Sequence, residues 1–318
     1  MTTAPVQVYF DTNVYSDILD RPTGWRSAHL PTADGLEIRL SPINILEFLS
    51  TPDPLRREQL VHLAQKICSP NLLPEVERLV AGFIARESAI PELTPFLLRD
   101  DEPASGIRAA WAQTKTDRTR TLLVNDNLTA RFRSFRALFD AIHAHFRRGD
   151  SIEKVLDGLP WRHSSRTVPL EMALKSVAAE RRGKASAPKS SEISFKSRDA
   201  AMLLTVIIVC SGLTPFETPI EDLWRALAVS REARLAYTFQ RLSFLFEQGP
   251  LVGMGLALAA QWLRKSESGN VFDLYHLAYL PLCHLFFTND VELLRIAEGL
   301  SESEPFRRVR SFAAFVGR

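Results

Sequence analysis

The sequence predicts an α/β protein in which a short parallel sheet is assembled from both ends of the chain and joined to a large, mainly α-helical middle. Three observations carry that expectation. Near each end, a short β-favouring run stops at an acidic residue and passes directly into a helical pattern, as in QVYF before Asp11 and HLFFT before Asp290. Between them, apolar residues recur at three- and four-residue steps over most of the chain. The composition is that of a folded protein, with 46% hydrophobic and 24% charged residues over 318 positions, enough for about two domains at roughly 150 residues each.

Taken in order, residues 6–10 are apolar apart from Gln7 and read as a buried strand. Residues 12–20 place Val14, Ile18 and Leu19 at near-helical spacing until Arg21-Pro22 breaks the run. A second strand is expected over 37–40, after which Pro42 and Asn44 open a helix that carries Glu47 and closes at Pro52 and Pro54. Helical stripes follow at Leu60, Leu63, Ala64 and Ile67, and at Val76, Leu79, Val80, Phe83 and Ile84. Phe132, Phe135, Phe139, Ile142 and Phe146 form another, with Arg131, Arg133, Arg136, Arg147 and Arg148 at other positions around that helix. The Ser/Lys-rich stretch 181–199 is expected to be a flexible basic loop. Leu235, Phe239, Leu242 and Phe246 resume the helical period, and residues 249–263 are apolar on most sides. The alternating pattern then returns. Residues 271–280 are helix-like, Pro281 punctuates, 284–288 form a strand, 291–300 a helix and 308–316 a last strand. Residues 1–54 and 266–318 thus hold the sheet, and residues 55–265 are an insertion or decoration.

Charge is uneven along the chain. Residues 106–200 carry 19 Lys+Arg against 10 Asp+Glu, a net of +9, whereas the rest is net −7. A basic middle suits a polyanionic partner, and the arginines from Arg131 to Arg148 are the candidates for phosphate contact. The longest apolar runs, of 14 and 13 residues, fall short of the ~20 that a membrane span needs. The three cysteines, Cys68, Cys210 and Cys283, have no paired spacing, and the first residues do not read as a secretory signal, so a reducing, cytoplasmic setting is expected. There is no Gly-rich phosphate loop, no His-Glu-x-x-His and no nucleophile elbow.

In a parallel sheet, ligands bind in the crevice outside the carboxyl ends of the strands. Asp11 and Asp290 would converge there, with Glu47 and Asp273 in reach of the same edge. A lone aspartate after a strand is usually a helix cap, but four acids in one cleft repel one another unless a cation compensates them. Hard oxygen ligands suit Mg²⁺ or Mn²⁺, and such ions activate water and stabilise the oxygens of a phosphodiester under attack. His276, three residues beyond Asp273, would share its helix face, where it could touch substrate or act as an outer-shell partner, although such a histidine is more often structural.

The elements DTNVYSDIL from Asp11, LSPINILEF with Glu47, and FDLYHLAYLPLCHLFFTND over 272–290 resemble the motifs of PIN-domain nucleases. The resemblance covers roughly the first 50 and last 50 residues, and 225 residues separate Glu47 from Asp273. It implies a three-layer α/β/α core, Mg²⁺ or Mn²⁺ held by acidic residues, and cleavage of RNA. On it, Asp11, Glu47, Asp273 and Asp290 match the family's four acids, and Asn13 and Thr288 its supporting polar positions. Because many members are toxins, it also implies an antitoxin-like protein partner. The alternative, raised by the oversized middle, is a catalytically inactive scaffold that binds nucleic acid or protein.

Overall fold

A computed structural model describes residues 5–20, 35–70, 72–87, 148, 251–261, 273 and 275–315. Its sheet has four strands, all parallel: β1 (Val6–Phe10), β2 (Leu36–Arg39), β3 (Leu285–Thr288) and β4 (Val309–Ser311), in the spatial order β2-β1-β3-β4. The chain leaves β1 toward one side, through helix α1 (Thr12–Asp20) to β2, and returns to the other side of β1 as β3. Strand order therefore reverses between β1 and β3. Val8 pairs with Leu285 and Phe10 with Phe287, and the Asp11 N–H continues the ladder to the Phe287 carbonyl at 2.9 Å. The two acid-bearing strand ends are adjacent at the carboxyl edge of the sheet.

Both faces of the central strands β1 and β3 are buried toward their carboxyl ends, which is why these two read as nearly continuous apolar runs. Tyr9 points to one face, against Tyr279 and Phe286 at ring separations of 5.3 and 5.2 Å. Phe10 points to the other, against Tyr15, Phe287 and Phe312. Aromatic pairs of this kind add about 0.5–1.5 kcal/mol each beyond their burial. Gly35, at φ 116°, occupies the backbone region open to glycine as the chain turns into β2, and its carbonyl accepts the Val6 N–H.

Helix α2 (Pro42–Ser50) starts with a capping box. The Ser41 hydroxyl oxygen accepts the Asn44 N–H, the Asn44 Oδ1 accepts the Ser41 N–H, and Pro42 fills the first turn. Helix α3 (Pro54–Ile67) is capped by Asp53. Beyond it the chain runs beside β2, with the Ser69 and Leu73 N–H groups donating to the carbonyls of Ile38 and Leu40. Helix α6 (Val291–Gly299) follows β3 and is capped by Asp290, whose Oδ1 accepts the Leu293 N–H at 2.6 Å.

The chain divides into two compact units. The first includes Met1–Glu75 and Val271–Arg318, and with them the sheet, α1, α2, α3 and α6. The second includes α4 (Val76–Glu87) and α5 (Val252–Gln261). In α4 the expected stripe is buried at Val76, Val80 and Ile84. The stripes over 132–146 and 235–246 and the basic loop 181–199 lie outside the described residues. Among the described residues no helix is long and apolar enough to cross a membrane.

Two expectations near the carboxyl end need correction. Pro281 does not end its helix; it lies inside a 3-10 turn, Leu277–Leu282, that continues the helical backbone of Tyr275 and His276. Nor is 308–316 one strand. A second 3-10 turn, Glu304–Arg308, leads into the three-residue β4, and the chain then coils into α7 (Phe312–Phe315). Side chains decide both. Arg308 donates to the carbonyls of Leu280, Pro281 and Cys283, while Asn289 and Ser311 accept the first free N–H groups of α7.

Candidate functional site

The site is built outward from the junction of β1 and β3. Asp11 follows β1 and is buried, 2% exposed. Its Oδ2 accepts from the Thr288 hydroxyl and from the Asn13 amide, each at 2.7 Å, so β3 and the first turn of α1 hold one carboxylate oxygen. Asn13 also ties α1 to the end of β3, because its Oδ1 accepts the Asn289 N–H. Thr288 accepts the Asp290 N–H at 2.9 Å, which orients the turn that presents Asp290.

The second wall comes from α2. Asn44 donates from Nδ2 to the Phe10 carbonyl and to Thr12 Oγ1, both at 3.1 Å, and so clamps the helix start against the end of β1. Glu47 lies three residues on, on the same helix face, and its Oε2 accepts a short hydrogen bond from the Thr12 hydroxyl. Its side chain is 24% exposed and marks the mouth of the site.

His276 closes the third side. It is fully buried, with Nε2 2.7 Å from Glu47 Oε2 and 3.5 Å from Asp11 Oδ1. Its Nδ1 lies 2.5 Å from the hydroxyl of Tyr9, which lies 2.6 Å from Ser41 Oγ. Asp11, Glu47 and His276 each offer one ligand atom, all within 4.8 Å of one another.

The electrostatics reflect crowded negative charge. Burial, with the charges of Asp11, Glu47 and Asp290, pushes the Asp273 carboxyl up to about 8. Burial alone would lower His276, but Glu47, Asp11 and Asp273 outweigh it and hold the imidazole up at about 9. Burial raises Asp11 too, against the opposing pull of His276. Protonation of Asp273 and His276 lowers the negative charge crowded at the site. The donor set, carboxylates and one imidazole at a partly open mouth, fits a divalent ion.

Comparison of the whole chain with protein-family models, curated proteins and solved structures finds no match. The site must therefore be argued from its own geometry.

That geometry brings Asp11 and Glu47 together, and Asp273 feels the charges of Asp11, Glu47 and Asp290. Asp290 commits Oδ1 to capping α6, and among the described residues its Oδ2 has no hydrogen-bond partner. Asn13 and Thr288 both support Asp11. Of the basic candidates, Arg148 is exposed in a turn, and Arg131, Arg133, Arg136 and Arg147 lie outside the described residues. Sequence reasoning undervalued His276 and missed Tyr9, Thr12, Ser41 and the clamp by Asn44. The three-residue steps Ser41, Asn44, Glu47 and Asp273, His276 were the available signal. Burial pushes the Cys68 and Cys283 thiols up to about 12, which disfavours either as a thiolate ligand.

Proposed function

We propose that the protein is a divalent-metal-dependent endonuclease that hydrolyses phosphodiester bonds, with RNA as its substrate. The observation that carries this reading is the cluster of Asp11, Glu47 and His276 at the point where strand order reverses, with Asp273 raised to about 8 by its burial and by the charges of Asp11, Glu47 and Asp290. The RNA preference rests on the resemblance to PIN-domain nucleases. Asp11, Asp273 and Asp290 would hold Mg²⁺ or Mn²⁺, which when bound polarises a phosphoryl oxygen and acidifies water.

The protein's own groups have separable tasks. Thr288 and Asn13 fix Asp11, so its second oxygen faces the cleft without reorganising. Thr12 aims Glu47, the most exposed of the pair it forms with Asp11, at the mouth, where it orients the attacking water or completes the ligand set. The basic stretch 106–200 supplies cations to grip the phosphate backbone, so binding weakens as salt rises.

The test is cleavage of end-labelled single-stranded RNA, structured RNA and single-stranded DNA in Mn²⁺, Mg²⁺ or EDTA, beside folded Asp11→Asn and Asp290→Asn. Metal-dependent cutting that disappears in both variants supports the nuclease. One observation favours a second reading: His276 already pairs with Glu47 and Asp11 inside the protein, as the counter-ion of an inactive scaffold would. No cutting under any condition, with nucleic-acid binding unchanged in the variants, selects the scaffold.

A further inference from the structure

We infer that His276 Nε2 is itself a metal ligand, together with Asp11 Oδ1 and Glu47 Oε2, so that the site takes a nitrogen-accepting first-row ion such as Zn²⁺ or Mn²⁺ in preference to Mg²⁺. The inference rests on the proposed metal site, and changes its ligands and its ion.

Distances come first. Two neighbouring ligands of an octahedral ion, each about 2.1 Å from it, lie about 3.0 Å apart. Nε2 stands 2.7 Å from Glu47 Oε2 and 3.5 Å from Asp11 Oδ1, on either side of that value. Small side-chain adjustments suffice to admit the ion.

The tautomer is fixed by a chain of buried hydrogen bonds. Ser41 donates its hydroxyl proton to Asn44 Oδ1 at 3.0 Å. The 2.6 Å contact between Tyr9 and Ser41 must then use the tyrosine proton, which leaves the Tyr9 oxygen to accept from His276 Nδ1–H. Nδ1 carries a proton, and Nε2 is the nitrogen aimed at the two carboxylates. Coordination replaces an Nε2–H bond with an Nε2–metal bond and releases that proton to solvent. Asp11 follows the same pattern: Oδ2 is anchored by Thr288 and Asn13, and Oδ1 faces Nε2. Asp11 and His276 thus each have one atom held by the protein and one turned inward, the usual outer-shell support of a metal site, while Thr12 holds Glu47 at Oε2 itself. Imidazole favours Zn²⁺ and its first-row neighbours far more than Mg²⁺.

The test uses the whole purified protein. Mn²⁺ binding is followed by electron paramagnetic resonance, ¹⁴N coupling to the bound Mn²⁺ by pulsed measurements, and preference by competition with Zn²⁺ and Mg²⁺. The expected result is ¹⁴N coupling in the wild type, displacement by Zn²⁺ well below the Mg²⁺ concentration needed, and loss of both coupling and preference in His276→Gln. Tyr9→Phe should keep the coupling but weaken Mn²⁺ binding by roughly 10–100-fold. If His276→Gln does not fold, the wild-type spectrum and Tyr9→Phe decide. Mn²⁺ bound without ¹⁴N coupling overturns the histidine ligand and leaves the carboxylate site standing. Folded protein that binds none of the three ions overturns both.

Discussion

The two halves of the site are held in different ways. On the sheet side, Asp11 is buried, and one of its oxygens takes two protein donors, from β3 and α1. On the helix side, Glu47 is partly exposed and depends on one threonine hydroxyl and on His276. The first half is a fixed point. The second relies on charge compensation, which the His276 imidazole supplies at Glu47.

The largest predicted effect breaks the fixed half. Asp11→Asn should lower metal-dependent cleavage by at least about a thousandfold, about 4 kcal/mol, without loss of fold, because it removes a ligand charge and also relieves repulsion. A folded Asp11→Asn that cuts at the wild-type rate would remove Asp11 from the reaction.

Next comes pH. Asp273 is raised from 3.8 to about 8, so the metal-free folded chain holds a proton that the unfolded chain releases, and folding weakens as pH climbs across that window. His276 is raised from 6.5 to about 9, so its stabilisation is complete below 6.5 and fades by 9. Both act in one direction. The melting temperature in EDTA should fall by roughly 5 °C or more between pH 5 and 9, with a shallower profile in Asp273→Asn. A melting temperature that rose over that range would contradict the assigned charges.

Thr288→Val should cost about 1–3 kcal/mol in denaturant unfolding, since it strips a donor from the buried Asp11 carboxylate and an acceptor from the Asp290 N–H. Wild-type stability in that variant would mean that Asp11 is not held as described. The smallest effect separates the two roles of Asp290. Asp290→Asn keeps a cap oxygen and should hold stability within a few tenths of a kcal/mol while cleavage falls, whereas Asp290→Ala should lose about 1 kcal/mol as well. Equal stability of the two variants would show that the α6 cap contributes little.

In the sheet-bearing part, much was legible because its signals are local. Val6–Phe10 and Leu285–Thr288 declare themselves as strands by β-favouring, nearly unbroken apolar runs, and Asp11 and Asp290 stand where those runs stop. Ser41, Pro42 and Asn44 announce the start of α2 in consecutive letters. The carboxyl-terminal correction was not legible, because Arg308 and Asn289 act on backbone groups 25 and 24 residues away. His276 was harder still. Its partners Tyr9 and Glu47 lie 267 and 229 residues earlier, and a histidine three residues from an aspartate says nothing about which nitrogen faces it.

The sequence by itself determined where β1 and β3 end, where α2 begins and which residues carry negative charge, since those follow from side-chain period, capping chemistry and composition. Only the tertiary structure decided that β3 lies against β1, that Asp11 and His276 face one another, and that Tyr9 fixes the imidazole. Such pairings depend on which buried groups find partners when distant segments pack, and a buried polar atom accepts whatever partner the fold brings within reach.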